Sequence, residues 1–361
     1  MKLLLLNRLF LLMLQLSVSG FLFGSVYLIF RHFLYQRTSA RFLVRLHLLA
    51  LGSFLIPFSL IASIYDGTEQ YFFAQYQDVV LDGANFFDSA VAFLLRNVDF
   101  FPFCDKIWFL GMVLFLLLRL KQYVSFRATI QSSLFLLEDE RWQSIFEAQK
   151  EAFGLSHLSL MASHGIGTPF TTGVRHKILV IPSFLLPLFD EQEITWILQH
   201  ECYHAKQNDV AKKLLLLFCQ SFHWMNPMFY YLKETLSGYL ELACDEAVTA
   251  TLTKSQKRAY ASLLIRSLEL EKQAQSQNSY CLCYGEKQVT QLQQRIQAIL
   301  QDKPCPHKKV IVALSVAAVF LFFCGNVAAK TAASPIFKLF SQNTSIIDTE
   351  TTDLIIIPRT K

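Results

Sequence analysis

Four long apolar runs set the first limit on how this chain can fold. A helix that crosses a bilayer needs about 20 apolar residues, and residues 9–30, 46–64, 104–123 and 310–329 reach about that length. Composition points the same way. Of the 361 residues, 53% are hydrophobic, 33 are phenylalanine and only 17% are charged, against roughly 25% charged in typical soluble domains. Between the third and fourth runs the pattern changes to that of a folded polar unit. The expected fold class is therefore a multi-pass α-helical membrane protein with an inserted, mostly helical α+β domain.

Loop charge orients the spans. Arg31, Arg37, Arg41 and Arg45 lie between the first two runs with no acid among them. The segment 65–103 carries Asp66, Glu69, Asp78, Asp82, Asp88 and Asp99 against Arg96 alone. By the positive-inside rule the first loop is cytoplasmic and the acidic loop external. Three spans thus occupy 1–123, a cytoplasmic unit 124–309, a fourth span 310–329 and a short external tail 330–361, with both termini outside. Ser17-Val18-Ser19-Gly20 is similar to a signal-peptidase site. The apolar run continues for ten residues past it, which favours a retained span.

Inside the unit, residues 138–153 read as an amphipathic helix stopped by Gly154. Residues 155–161 and 177–181 read as strands, the second closed by Pro182. Between the strands, 165–173 is rich in Gly and Thr and reads as a flexible turn. Helices are expected over 210–222, 228–252 and 254–276, with 271–279 the candidate mobile connection. The eight cysteines are scattered, so no disulfide framework is expected. Cys281-Leu282-Cys283 reads as strand in preference to a metal pair. The net charge of +5 comes without a Lys/Arg stripe, and no direct nucleic-acid binding is expected.

Chemistry is concentrated in His200-Glu201-Cys202-Tyr203-His204. Two histidines four apart on a helix share one face, so both imidazoles can reach one Zn²⁺, and Glu201 can act as general base on a water held there. Asp190 with Glu193 three residues later forms a capping box that starts this helix. A catalytic zinc takes three protein ligands, and the third is expected from Glu241, on the long helix 228–252. Asp245, four residues on, shares its face and can hold the free N–H of a ligand histidine. Asp209 is either a second such support or a polar helix-end residue. Glu246 points elsewhere, toward solvent. His223 is a candidate to stabilise the transition state by residue type, with a structural role at the turn as its alternative.

These motifs, with Phe222-His223-Trp224-Met225-Asn226-Pro227, Glu241-Leu242-Ala243-Cys244-Asp245-Glu246, Pro169-Phe170-Thr171-Thr172-Gly173, Gly285-Glu286 and Arg295-Ile296, resemble the membrane metallopeptidases of the BlaR and MecR sensor-transducers over about 1–330. The resemblance implies a gluzincin-like zinc endopeptidase with ligands His200, His204 and Glu241, base Glu201 and one Zn²⁺ per chain. It also implies a cytoplasmic protein substrate, typically a DNA-binding repressor, as partner. Membrane lipid is the other expected partner, and association with further copies of the chain is compatible with the reading. The pattern departs at 330–361, which has no Ser-x-x-Lys and is too short for a penicillin-binding domain, so β-lactam sensing by acylation is not expected. A channel or transporter is disfavoured by spans without acid or base pairs. The rival from another class is a zinc-containing transducer that acts by contact without catalysis.

Overall fold

The computed structural model describes residues 38–55, 101–277 and 286–301, together with 12–14, 16–17, 20–21, 23–29 and 31. The remainder of the second span, most of the acidic loop, the Cys281/Cys283 stretch, the fourth span and the tail lie outside the described residues.

The described positions of 12–31 are helical. Helix α1, Ala40–Gly52, begins six residues before the expected span. Its start is fixed by two caps: Ser39 accepts from Phe42 N–H, and the Glu246 carboxylate accepts from Ala40 N–H at 2.6 Å. Glu246 thus points away from the site, as expected, and its partly exposed carboxylate tethers α1, with Arg41 3.7 Å away. Helix α2, Phe101–Ser133, is 33 residues long. Its stretch Cys104–Ser133 is long and apolar enough to cross a membrane. The helix continues ten residues past the expected span because nothing after Gly111 breaks it.

Strand β1, Leu134–Leu136, follows directly. Helix α3, Glu140–Phe153, is capped by Asp139 and ended by Gly154 in the left-handed region at φ 68°, where glycine carries no Cβ penalty. Leu155 N–H bonds back to Lys150 O, which keeps 155–157 in the turn, so strand β2 starts later than expected, at Leu158–Ser163. Strand β3 is Phe170–Thr172 and β4 is Lys177–Pro182. The turn expected over 165–173 is therefore strand near its end. The sheet order is β1-β2-β4-β3. β2 and β4 run parallel from Leu158↔Lys177 to Ser163↔Pro182, and β3 is an antiparallel edge strand on β4.

Helix α4, Glu191–Gln207, opens with both halves of the Asp190/Glu193 capping box. Asn208, the one non-glycine positive φ among the described residues (56°), turns the chain directly into α5, Asp209–Phe222. Asn tolerates this conformation better than most residues. Helix α6, Pro227–Thr249, starts with Asn226 as cap and Pro at its first position. Helices α7, Lys254–Gln277, and α8, Glu286–Leu300, complete the described chain. Helix α7 runs through most of the stretch expected to be a mobile connection.

Two apolar cores result. One joins α6 and α5 to α1 and the 12–31 segment through Phe23, Leu43, Phe54, Phe229 and Leu232. The other packs α3, α7 and the sheet around α4 through Trp142, Phe146, Leu179, Ile194 and Leu198. Truncating one such buried Leu to Ala costs about 2–5 kcal/mol. α4 is locked in the second core and α6 spans both, so the face between them is held from two sides.

Candidate metal centre

Helix α4 presents His200, Glu201 and His204 toward α6, which supplies Glu241 and Asp245. His200 Nε2 lies 3.4 Å from Glu241 Oε2 and His204 Nε2 3.5 Å from Glu241 Oε1. A tetrahedral ion with ligands at about 2.0–2.2 Å separates its ligand atoms by about 3.3–3.6 Å. Each histidine Nε2 thus stands from a Glu241 oxygen at the spacing of two ligands on one metal.

The other ring nitrogens face away from that point and are each held by an acid. His200 Nδ1 is 3.2 Å from Asp245 Oδ1 and 3.2 Å from the Tyr260 hydroxyl, which itself donates to Asp245 Oδ1 at 2.8 Å. His204 Nδ1 donates to Asp209 Oδ2 at 2.8 Å, and Lys212 donates to the other Asp209 oxygen at 2.8 Å. Proton on Nδ1 leaves the Nε2 lone pair for a metal. Of the two readings of Asp209, the structure places it as a support of His204.

Cys244 offers a different donor set, since its Sγ together with nitrogens of His200 and His204 could also hold an ion. Its sulfur, however, sits 3.3 Å from His204 Nδ1, the nitrogen engaged by Asp209. In the metal-free site burial pushes the Cys244 thiol up to about 12, so it stands there as a neutral thiol. The His200–His204–Glu241 set fits an ion better.

Two residues that sequence reasoning gave no role complete the cluster. Arg295 of α8 donates to Asp245 twice, from Nε at 2.7 Å and Nη2 at 2.8 Å, and its Nη1 lies 3.3 Å from Glu241 Oε2. Tyr260 of α7 bridges His200 and Asp245. For Asp245, burial favours the neutral acid, but the Arg295 charge and hydrogen bonds outweigh it and hold the carboxyl below its usual range. Burial likewise opposes charge on Glu241, yet hydrogen bonds from His200 and His204 keep it well below the ordinary value. The mirror effect raises His204: burial works against its proton, and contacts to Asp209, Cys244 and Glu241 overcome it.

Glu201 is buried beside the histidines. Thr171 of the edge strand donates to its backbone carbonyl and to its carboxylate, both at 3.1 Å. The groups open into a cavity of about 490 Å³, bordered by Thr168, Phe170, Tyr260, Leu263 and Arg295. His223 is not among the residues lining it. Its Nε2 donates to Phe54 O at 2.8 Å, and its Nδ1 meets Ser17 Oγ at 2.7 Å. The structure brings together six of the seven site residues read from sequence and leaves out His223.

The sequence pattern of the BlaR1 peptidase M56 family matches residues 11–299. The chain is 26% identical over 172 residues to the regulatory protein BlaR1 of Bacillus licheniformis, covering 47% of this chain and 28% of that protein. It is 23% identical over 167 residues to the methicillin resistance mecR1 proteins of Staphylococcus aureus and Staphylococcus epidermidis, covering 46% of this chain and 28% of theirs. Each match thus spans less than a third of the relative's length.

Proposed function

The chain belongs to the BlaR1 peptidase M56 family, and from that premise we propose that it is an integral-membrane zinc endopeptidase. It hydrolyses peptide bonds of a cytoplasmic protein in regulatory signalling, with a transcriptional repressor or the chain itself as substrate. The observation that carries this reading is the meeting of His200 and His204 Nε2 on one carboxylate, Glu241, at 3.4 and 3.5 Å. His200, His204 and Glu241 would hold one Zn²⁺, which when bound supplies a Lewis acid that polarises a carbonyl and acidifies water.

The protein's own groups do the rest. Glu201 takes the proton of the attacking water as general base and returns it to the leaving amine. Thr171 fixes that carboxylate, and Asp245 and Asp209 keep the ligand rings in one tautomer. The β3 edge offers backbone groups to an extended substrate. In the proposed topology four spans hold the chain, and the unit 124–309 faces the cytoplasm. The arginine-rich segment between the first two spans supports that side.

The test compares new peptide termini in cells carrying the wild type with those in cells carrying Glu201→Gln, alongside zinc content. The variant should keep about one zinc, as expected of a residue outside the ligand set, and lose a defined set of termini. A variant that keeps zinc and still signals would instead make the chain a non-catalytic transducer acting by contact.

A further inference from the structure

Helix α5 and the start of α6 do not behave as part of a water-facing domain. Leu215, Phe218 and Met225 are each more than half exposed, and Tyr230 and Tyr231 are also exposed. Exposed apolar groups of this size in one patch mark an interaction surface. The polar groups of the same hairpin turn inward. Gln220 is fully buried and accepts from Lys233 Nζ at 2.6 Å, and Ser221 is buried as well. Apolar outside with polar inside is the arrangement of an element solvated by lipid.

Three separate contacts set how deep the hairpin reaches. Its tip lies against α2, where Trp224 Nε1 donates to Trp108 O at 3.3 Å and Trp108 Nε1 donates to Phe222 O at 3.0 Å. A Cβ on Gly111 would run into the Trp224 ring, so the approach is close. The tip also holds Ser17, through Asn226 Nδ2 to Ser17 O at 3.2 Å, and Phe54, through His223. At the hairpin's base, Arg31 reaches Thr235 at 3.3 Å and lies over the Tyr231 ring.

The lengths agree. From Arg119 back to Trp108 is about 16 Å of helix, and from Lys213 to Phe222 about 14 Å, at 1.5 Å per residue. That is about half of a hydrocarbon core near 30 Å thick. Lys212 and Lys213 stand at the base of α5, where a headgroup layer would lie. The outward face of α2 at Leu110, Leu114 and Leu117 is more than half exposed and continues onto this hairpin.

We infer that the α5–α6 hairpin, roughly 214–231, is a re-entrant membrane element whose outer face is covered by the lipid bilayer. It enters from the side that bears the metal centre, turns at 223–226 and leaves on the same side. The inference rests on the reading of α2 as a span and changes the assignment of this stretch from cytoplasm to membrane. His223, unused by the chemistry, then ties the tip to two neighbouring membrane segments.

The experiment uses the wild-type full chain in vesicles of phosphatidylcholine and phosphatidylglycerol, a lipid-soluble diazirine that generates a carbene within the bilayer, and peptide mass spectrometry. Leu215, Phe218 and Met225 should carry label within about threefold of Leu114 and Leu117, as groups sharing one hydrocarbon core. Ile265, exposed on α7, should carry at least about tenfold less, as a group in water. Labelled α2 with an unlabelled hairpin overturns the inference and means that protein covers this face, whether another segment or a second copy. If α2 is also unlabelled, the membrane reading beneath it fails, and the two failures are told apart.

Discussion

Arg295→Met isolates the electrostatics of the candidate metal centre. The substitution keeps an unbranched apolar side chain and deletes a guanidinium that binds Asp245 at 2.7 and 2.8 Å and approaches Glu241 at 3.3 Å. Asp245 is almost fully buried and Arg295 about one-fifth exposed (19%). Removing one partner of a buried pair costs about 3–5 kcal/mol because the other charge stays buried and unmatched. Partial exposure of Arg295 puts this case at the lower end, about 3 kcal/mol. For a unit of this size, ~1 kcal/mol moves the melting temperature by about 2–4 °C, so the metal-free variant should melt about 6–12 °C below the metal-free wild type.

Bound zinc changes that figure in a defined direction. A divalent cation held by Glu241 supplies positive charge where Arg295 supplied it, leaving only Asp245 short of a partner. The deficit should shrink to about half when zinc is present, since one of two carboxylates is then matched. Thermal unfolding in detergent, followed by tryptophan fluorescence with excess chelator and with zinc, reads both values. Arg295→Lys should not restore stability, because a lysine lacks the planar fork that holds both Asp245 oxygens. Equal deficits in both conditions would refute the reasoning, as would no deficit under chelator.

Four further outcomes are expected. Glu241→Gln should lower zinc affinity by more than about tenfold, and Asp245→Asn by about 10–100-fold as a support of a ligand histidine. Cys244→Ser should leave zinc stoichiometry unchanged, and loss of zinc in that variant alone would reassign the donor set to His200, His204 and Cys244. Zinc binding should weaken as pH falls. The metal-free His204 holds its proton to a pH above the ordinary 6.5, so proton competition should set in above that value, which titration calorimetry across pH 6–9 would read. Thr171→Val should lower kcat about fivefold, the effect of one lost hydrogen bond of about 1 kcal/mol, with metal content unchanged.

Much of this site can be read directly from spacing. His200 and His204 share a helical face, as do Glu241 and Asp245, and the Asp190/Glu193 box announces where α4 begins. Periodicity carries these because each is local. Arg295 could not be found that way. It lies 50 residues from Asp245, and in Gln-Leu-Gln-Gln-Arg-Ile an arginine looks like a solvated side of an amphipathic helix. The three-residue strands β1 and β3 are too short to show alternation, and Pro169 and Gly173 around Phe170-Thr171-Thr172 look like turn signals. The hairpin stayed hidden for a similar reason. Its apolar run over 214–219 is far below the length that marks a span, so its place beside α2 and the 12–31 segment shows only in the contacts between them.

His223 shows how position outweighs residue type. Histidine is the commonest acid–base group, and one at the turn between the two helices that carry Asp209 and Glu241 invites a chemical role. The fold sends that turn away from the site, because α5 leaves Asn208 toward α2 and α6 only returns to α4 near its far end. Each helix consequently has one end at the metal centre and the other against α2 and the segments around Ser17 and Phe54. Asp209 opens α5 against His204, while Phe222 closes it against Trp108. Helices of this length bend little, and most of the buried side chains of α4 sit in the second core, with Tyr203 in the first. The hairpin tip and the 2.8 Å bond between Asp209 and His204 are the two hydrogen-bonded ends of the path from the segments around Ser17, Phe54 and Trp108 to the metal centre. The tip is held by reciprocal indole bonds, by His223 and by Asn226, and it has the less freedom of the two.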